Sequence, residues 1–321
     1  YSSEGKYIKH DNDMFKNMYY IEEEKRGQMA KENHVVPGVY EIELEPNESK
    51  YVTFVCSLEQ NIEELDGKEL INKEIVRLST IIYNTDLLDE KKKESKAPDY
   101  INMVKNFTIA TDNFVVYRPS FALYTLIAGY PWFLDWGRDT LISFEGTLLK
   151  TRRFSEAKEV LLTCIRDIKY GLVPNGYSGY DSRPLYNSAD ASLLLFEATK
   201  RFLNYTNEYE WVRENIYPSL VRIMNAYQDR IDIDGNNIYM DEDYLVCSGT
   251  ENIQNTWMDA KIGDYVVTPR NGKAVEINSM WYNALKLMEE FTTLMRGKEE
   301  AKRYTDLAKR CKKSFNEKFY N

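Results

Sequence analysis

From Phe107 onward, amphipathic helical stretches alternate with long loops rich in Gly, Asn, Asp and Tyr, and this alternation restricts the possible folds more than any other feature. Ala157, Val160, Leu161, Cys164, Ile165 and Ile168 recur on one face at the helical period. Ser155 is the N-cap expected for that helix. Further helices are predicted over 188–204, 208–229, 274–295 and 297–319, the last with a stripe of Ala301, Tyr304, Leu307, Ala308, Cys311 and Phe315. Pro218 either kinks the third of these five segments or begins a new helix. The intervening loops, at 129–138, 171–187 and 231–273, exceed what a compact helical domain needs, and loops of that length usually carry function. Such an alternation suits a toroid of helical hairpins whose long loops gather on one face.

Upstream the pattern changes. Residues 12–58 read as β: Val39 to Glu45 alternates apolar and acidic, Pro46-Asn47-Glu48-Ser49 supplies a turn, and Tyr51 to Val55 is β-branched and aromatic. This is the pattern of a meander lacking its first strands. Residues 60–105 are rich in Glu, Lys and Leu, with Ile71, Ile75, Leu78 and Ile82 at helical spacing, a solvated charge run at Glu90 to Glu94, and Pro98 as a breaker.

Charge excludes one class of partner. The net charge of −9, from 42 basic and 51 acidic side chains, argues against a nucleic-acid phosphate partner, which needs a basic face. With only two histidines, His10 and His34, both in the N-terminal part, neither a His-based metal site nor a triad is expected. No C-x-x-C pair occurs among Cys56, Cys164, Cys247 and Cys311, which read as reduced thiols of a cytoplasmic protein. No apolar run is long enough to span a membrane, so no membrane partner is expected. The 25 Tyr, 13 Phe and 5 Trp admit two readings. One is a large helical core rimmed with Tyr; the other is a cleft lined with flat rings on which pyranose C–H faces pack.

Three loops hold the residues able to do chemistry. Gly129 to Thr140 combines Trp132, Trp136, Asp135, Arg138 and Asp139 with Gly and Pro. The indoles offer apolar walls, while Arg138 donates and Asp139 accepts, so the pair can grip adjacent hydroxyls. The plainer alternative is a helix start with a first-turn acid and a salt bridge. In the second loop, Trp257 and Asp259 precede Arg270 and Glu276. A general acid must hold its proton at working pH, and burial beside the Trp257 indole would help Asp259 do so, whereas an inward Lys261 would oppose it. Arg270 and Glu276 are candidate hydroxyl binders; alternatively this is a surface loop whose acid caps a helix. In the third loop Asn175, Asn187 and Asp190 can bind hydroxyls or simply serve as turn and cap residues. The stretch Asp232 to Asn237 lacks the spacing of a calcium loop, and Asp234-Gly235 reads as a hairpin turn.

In order and wording, Tyr130-Pro131-Trp132-Phe133 through Trp136-Gly137-Arg138-Asp139, then Gly171 to Asn175, Tyr186-Asn187 with Asp190, Thr256 to Asp259, and Arg270 to Asn278 resemble the amylo-α-1,6-glucosidase family, the glucosidase half of glycogen-debranching enzymes. The likeness is strong from Asn106 to Asn321. The β part, with Arg26-Gly27 and Val36-Pro37-Gly38, resembles the tail of an N-terminal β-sandwich domain. The resemblance implies a mainly α fold, an (α/α)6 toroid, with domains at 1–60 (end of the β-sandwich), 61–105 (helical linker) and 106–321 (catalytic). It implies an inverting hydrolase that releases glucose from α-1,6 branch points of glycogen or limit dextrin without a cofactor. Asp259 matches the catalytic acid. Arg138 and Asp139 resemble the pair that grips the terminal glucose, with Trp257 as a wall. Trp132, Asp135, Trp136, Asn187, Asp190, Arg270 and Glu276 are further candidate substrate-binding residues. Twelve helices need on the order of 350 residues. About seven are predicted after residue 106, so the toroid is expected to be incomplete and its general base to lie beyond residue 321. A glucoamylase-type α-glucosidase and a non-catalytic glucan-binding fragment are the rival expectations.

Overall fold

The computed structural model describes residues 1–58, 62, 65–85, 98–130, 133–178 and 183–320. Two compact units divide the chain, Tyr1–Ser79 and Thr80–Asn321.

In the first unit, β1 (Lys6–Tyr19) and β2 (Lys31–Glu41) form an antiparallel pair, linked through α1 (Ile21–Lys25). The register shifts twice, between Lys9 and Asp13 and between Phe15 and Met18. Asn12 and Asn17 lie at these shifts with φ of 63° and 56°, a backbone region that Asn tolerates better than most residues. The predicted strand from Val39 ends at Glu41 rather than Glu45, and Tyr51 to Val55 contributes only a single bridge, Ser2 to Phe54. The turn explains the early end. Glu48 donates its amide to the Glu45 carbonyl (2.9 Å) and Glu45 donates its own to the Glu48 carboxylate (2.9 Å), so these groups are withdrawn from a ladder. Helix α2 (Gly67–Asn84) follows, carrying the predicted Ile71 stripe, and the boundary between the units falls within it. The Glu90 to Glu94 charge run lies outside the described residues.

The second unit is mainly α. Helix α3 (Pro98–Asp112) begins at Pro98, where a missing amide hydrogen costs nothing, so the breaker of one helix is the start of the next. A short hairpin follows, β3 (Val115–Arg118) with β4 (Leu123–Leu126). Helix α4 (Gly137–Phe144) runs on into a π turn, Glu145–Leu149. Next come α5 (Phe154–Arg166), the pair β5 (Gly176–Tyr177) and β6 (Pro184–Leu185), and α6 (Asp190–Thr206). The predicted α5 face is the buried one, with Ala157, Val160 and Leu161 fully covered. Ser155 does not cap it. Arg153 holds the N-cap position, and Phe154, packed on the core, draws the helix start forward.

The 208–229 segment is two helices, α7 (Tyr209–Asn215) and α8 (Tyr217–Gln228), with Pro218 in the first turn of the second. The loop beyond α8 carries the predicted turn. Asp234 and Gly235 have φ of 52° and 76°, and Ile231 pairs with Ile238 across it. Short pairs β7 (Tyr239–Met240) with β8 (Val246–Cys247), and β9 (Lys261–Ile262) with β10 (Tyr265–Val266), lead to α9 (Val275–Met295) and α10 (Lys298–Phe319). Tyr227 stacks on Trp281 at the centre of the core, ring centroids 5.9 Å apart, and the Trp281 indole donates to the Tyr244 carbonyl (3.2 Å). Among the described residues no helix is long and apolar enough to cross a membrane.

Candidate active site

Arg138 is the second residue of α4, and the start of that helix is pinned by backbone contacts. Gly137 donates its amide to the Asn175 carbonyl (2.7 Å), and a Cβ on Gly137 would stand 2.3 Å from the Pro174 carbonyl oxygen. Only glycine permits that approach. Two residues before Asn175, the Val173 amide donates to the Ser192 hydroxyl of α6 (2.8 Å). The sequence stretch Gly171 to Gly176 therefore serves as a spacer locking the starts of α4 and α6 together.

From this position the Arg138 guanidinium bridges two acids remote in sequence. Its Nε donates to Asp190 Oδ2 at 2.7 Å, and its Nη1 reaches Asp259 Oδ2 at 3.4 Å. Nη2 is buried without a partner among the described residues. Burial works against the guanidinium charge, yet Asp190 and Asp259 more than offset it, and the pKa is raised above the ordinary arginine value. Asp190 opens α6 and is 3% exposed. Ser188 donates its hydroxyl to the other Asp190 oxygen while accepting the Ala191 amide (3.1 Å). Asp259 is more open, its side chain 35% exposed.

The remaining candidates are distributed unevenly around this clasp. Asp139 is exposed, and its carboxylate has no partner among the described residues; with Arg138 it lines a cavity of about 380 Å³ whose other walls include Phe114, Ile127 and Ile142. Trp257 is 58% exposed, so the burial expected to shelter Asp259 is not what surrounds it. Lys261 donates to the Asn252 carbonyl (3.4 Å). Asp135 is 6% exposed and accepts from Arg118 at 2.7 Å and from the Thr125 hydroxyl at 3.3 Å. Trp136, beside it, walls a void of about 20 Å³, enough for a water molecule and far too small for a sugar. Arg270 and Glu276 pair with each other (Nε to Oε1, 3.0 Å), closing the base of the 255–276 loop. Asn187 lies at the surface and lines a separate cavity of about 650 Å³ with Tyr186, Ile233 and Asn236. Trp132 lies outside the described residues.

Ser188, Arg118 and Asn255 escaped the reading of the sequence. Asn255 holds the two long loops together, donating its side-chain amide to the Asn236 carbonyl (2.7 Å) and accepting the Ala189 amide on its own carbonyl (2.8 Å). The only sequence signal for Ser188 was a hydroxyl residue just before a helix-opening acid, which is common enough to pass unnoticed.

A family model described as amylo-alpha-1,6-glucosidase matches residues 109–321, and one described as glycogen debranching enzyme N terminal matches residues 1–51. The glycogen debranching enzyme of Saccharomyces cerevisiae is 30% identical over 209 residues; the match covers 48% of this chain, which spans only 13% of the length of that protein. Since the first of these matches takes in well over half of its residues, the chain belongs to the amylo-alpha-1,6-glucosidase family.

Proposed function

We propose that the Thr80–Asn321 unit carries the sugar-gripping and proton-donating groups of a glycoside hydrolase that releases glucose from α-1,6 branch points of glycogen or limit dextrin. The observation that carries this reading is the Arg138 to Asp259 contact, made across 121 residues of sequence by an arginine that also lines a cavity. Glycoside cleavage needs a carboxylic acid that can protonate the bridging oxygen as the ring takes on oxocarbenium character. Asp259 is accessible enough to meet that oxygen and is held next to a hydrogen-bond donor with capacity to spare. Arg138 Nη2 would donate to one hydroxyl of the terminal glucose and the unpartnered Asp139 carboxylate would accept from its neighbour. The exposed Trp257 ring would supply an apolar face. An inverting cleavage also needs a second carboxylate to activate water, and none of the described residues is assigned that role.

The choice of α-1,6-linked glucose rests on the family and on the name of the yeast relative. Four unpaired thiols suit a reducing compartment, which supports a cytoplasmic setting. The test is glucose release from a limit dextrin by the full-length protein carrying Asp259→Asn. Removing a general acid lowers kcat by about 10²- to 10⁴-fold. Unchanged release would remove Asp259 from the mechanism. Comparing α-1,6- with α-1,4-linked substrates separates this reading from a glucoamylase-type activity.

A further inference from the structure

We propose that the cavity of about 650 Å³ beside Asn187 is a second carbohydrate site, which holds a stretch of neutral α-glucan chain apart from the Arg138–Asp259 contact. The inference rests on the reading of the substrate as an α-glucan, and it gives a task to the Asp234-Gly235 turn, which the cleavage itself does not use. The volume lies within the range of about 300–1,000 Å³ common for sites that take small molecules.

The frame of this cavity is rigid. Asp234 and Gly235 have left-handed backbones, and a Cβ on Gly235 would stand 2.7 Å from Ile253 Cδ1, so the turn lies directly against Ile253. Ile231 and Ile238 exchange backbone hydrogen bonds across it (2.7 and 2.9 Å). Asn236, 2% exposed, joins three stretches of chain. Its side chain donates to the Tyr186 carbonyl, and its own carbonyl accepts from the Gly249 amide (2.8 Å) and the Asn255 side chain (2.7 Å). The Tyr186 hydroxyl donates to the Asp167 carbonyl (2.6 Å), which fixes the ring.

On this frame stand polar groups with capacity to spare. Among the described residues, the side chains of Asn187 and Asp234 make no hydrogen bond or ion pair, and the Lys169 ammonium has only the Tyr170 ring beside it, 5.5 Å from the centroid. Lys169 and Asp234 offset each other in charge, and Arg183 has a partner of its own, so nothing here selects an anion such as phosphate. A donor, an acceptor and an amide that is both, set with Ile233 and Ile253, match a sugar, whose hydroxyls lie at the ring edge and whose C–H groups form its faces. The place in the fold is suited to a glucan as well. Asn187 precedes Asp190 by three residues and Ile253 precedes Asp259 by six. At about 3.6 Å per residue at most, their Cα atoms lie within about 11 Å and about 22 Å of those acids. The Ala189 amide, bonded to the Asn255 carbonyl (2.8 Å), ties the two stretches together on the way.

The experiment titrates maltohexaose, an unbranched α-glucan, into the full-length protein and its Asn187→Ala and Asp234→Gly variants by calorimetry, with folding followed by circular dichroism. Both side chains are exposed, and glycine accepts the positive φ of residue 234, so both variants are expected to fold. Each is expected to raise Kd by about 3- to 10-fold, the loss of a hydrogen bond or two to the sugar. No binding to the wild type, or an unchanged Kd in both variants, overturns the inference. Inorganic phosphate, titrated in parallel, is expected not to bind; phosphate binding that tightens in Asp234→Gly marks an anion site and overturns it too. Glucose release from a limit dextrin tells where the bound chain comes from. A KM raised in the same two variants makes it part of the molecule being cleaved, and an unmoved KM makes it a neighbouring chain. The cleavage reading is tested apart from this, since unchanged release in Asp259→Asn sinks that assignment without touching the maltohexaose result.

Discussion

Asp135 and Asp190 illustrate how little a side chain's identity says about its task. Both are acids in aromatic, loop-rich segments, and both are candidate hydroxyl binders on composition. In the folded chain each is nearly covered and each holds an arginine, Arg118 in one case and Arg138 in the other. Burying a carboxylate away from its arginine is strongly unfavourable, so such pairs form together or not at all. Asp135→Asn is therefore expected to act on stability, lowering unfolding free energy by about 3 kcal/mol because the largely covered Arg118 loses the charge that balances it. Urea unfolding measures this. A variant with wild-type stability and a raised KM would return Asp135 to the sugar pocket. The Arg138 clasp was legible as a set of residue types in three separate segments. Which acid would receive which nitrogen was not, because that depends on distances of tenths of an ångström between chain segments 52 and 121 residues apart.

At the scale of elements, the helices were the most legible part, since burial imposes a 3.6-residue period that can be read off the chain. Helix α10 shows this directly, with Ala301, Tyr304, Ala308 and Cys311 buried along one stripe. Ends were less legible, as Ser155 shows, because packing of a neighbouring Phe outweighed the cap. The loop between β7 and β8 depends on charge in a way the sequence did not announce. Lys273 bonds Asp241 at 2.6 Å and Asp243 at 2.8 Å, and Lys318, at the end of α10, also bonds Asp243. The Lys273 hydrogen bond holds the Asp241 carboxyl below its usual range. For Asp243, burial works the other way, but the bonds from Lys273 and Lys318 outweigh it and its pKa is lowered too. Carboxylates with depressed folded values stabilise fully above their unfolded pKa, near 3.9, and that contribution is lost as pH falls through the lower folded values. The urea midpoint is expected to drop below about pH 4 in the wild type, and less steeply in Lys273→Met. Equal slopes in the two proteins would show that this cluster contributes nothing to acid sensitivity.

Over the whole molecule, burial is concentrated at one end of the sequence. Every buried residue of the described chain lies at or beyond Thr85, while β1 and β2 contribute none. Amide exchange in the 321-residue chain is therefore expected to be slow through α6 and α9 and fast through residues 6–41, since local opening is harder where it must expose buried apolar surface to water. Matching protection in both regions would contradict this. What the sequence determined by itself was what repeats locally: helical faces, the Asp234-Gly235 turn and the inventory of chemical groups, all set by interactions within a few residues. Only the tertiary structure decided that Arg138 stands between Asp190 and Asp259, that Asp135 pairs with Arg118, and that Ser188 donates to Asp190. Those outcomes follow from the close approach of Gly137 to Pro174 and the packing of α4 against α6, and no local pattern encodes a contact between distant segments.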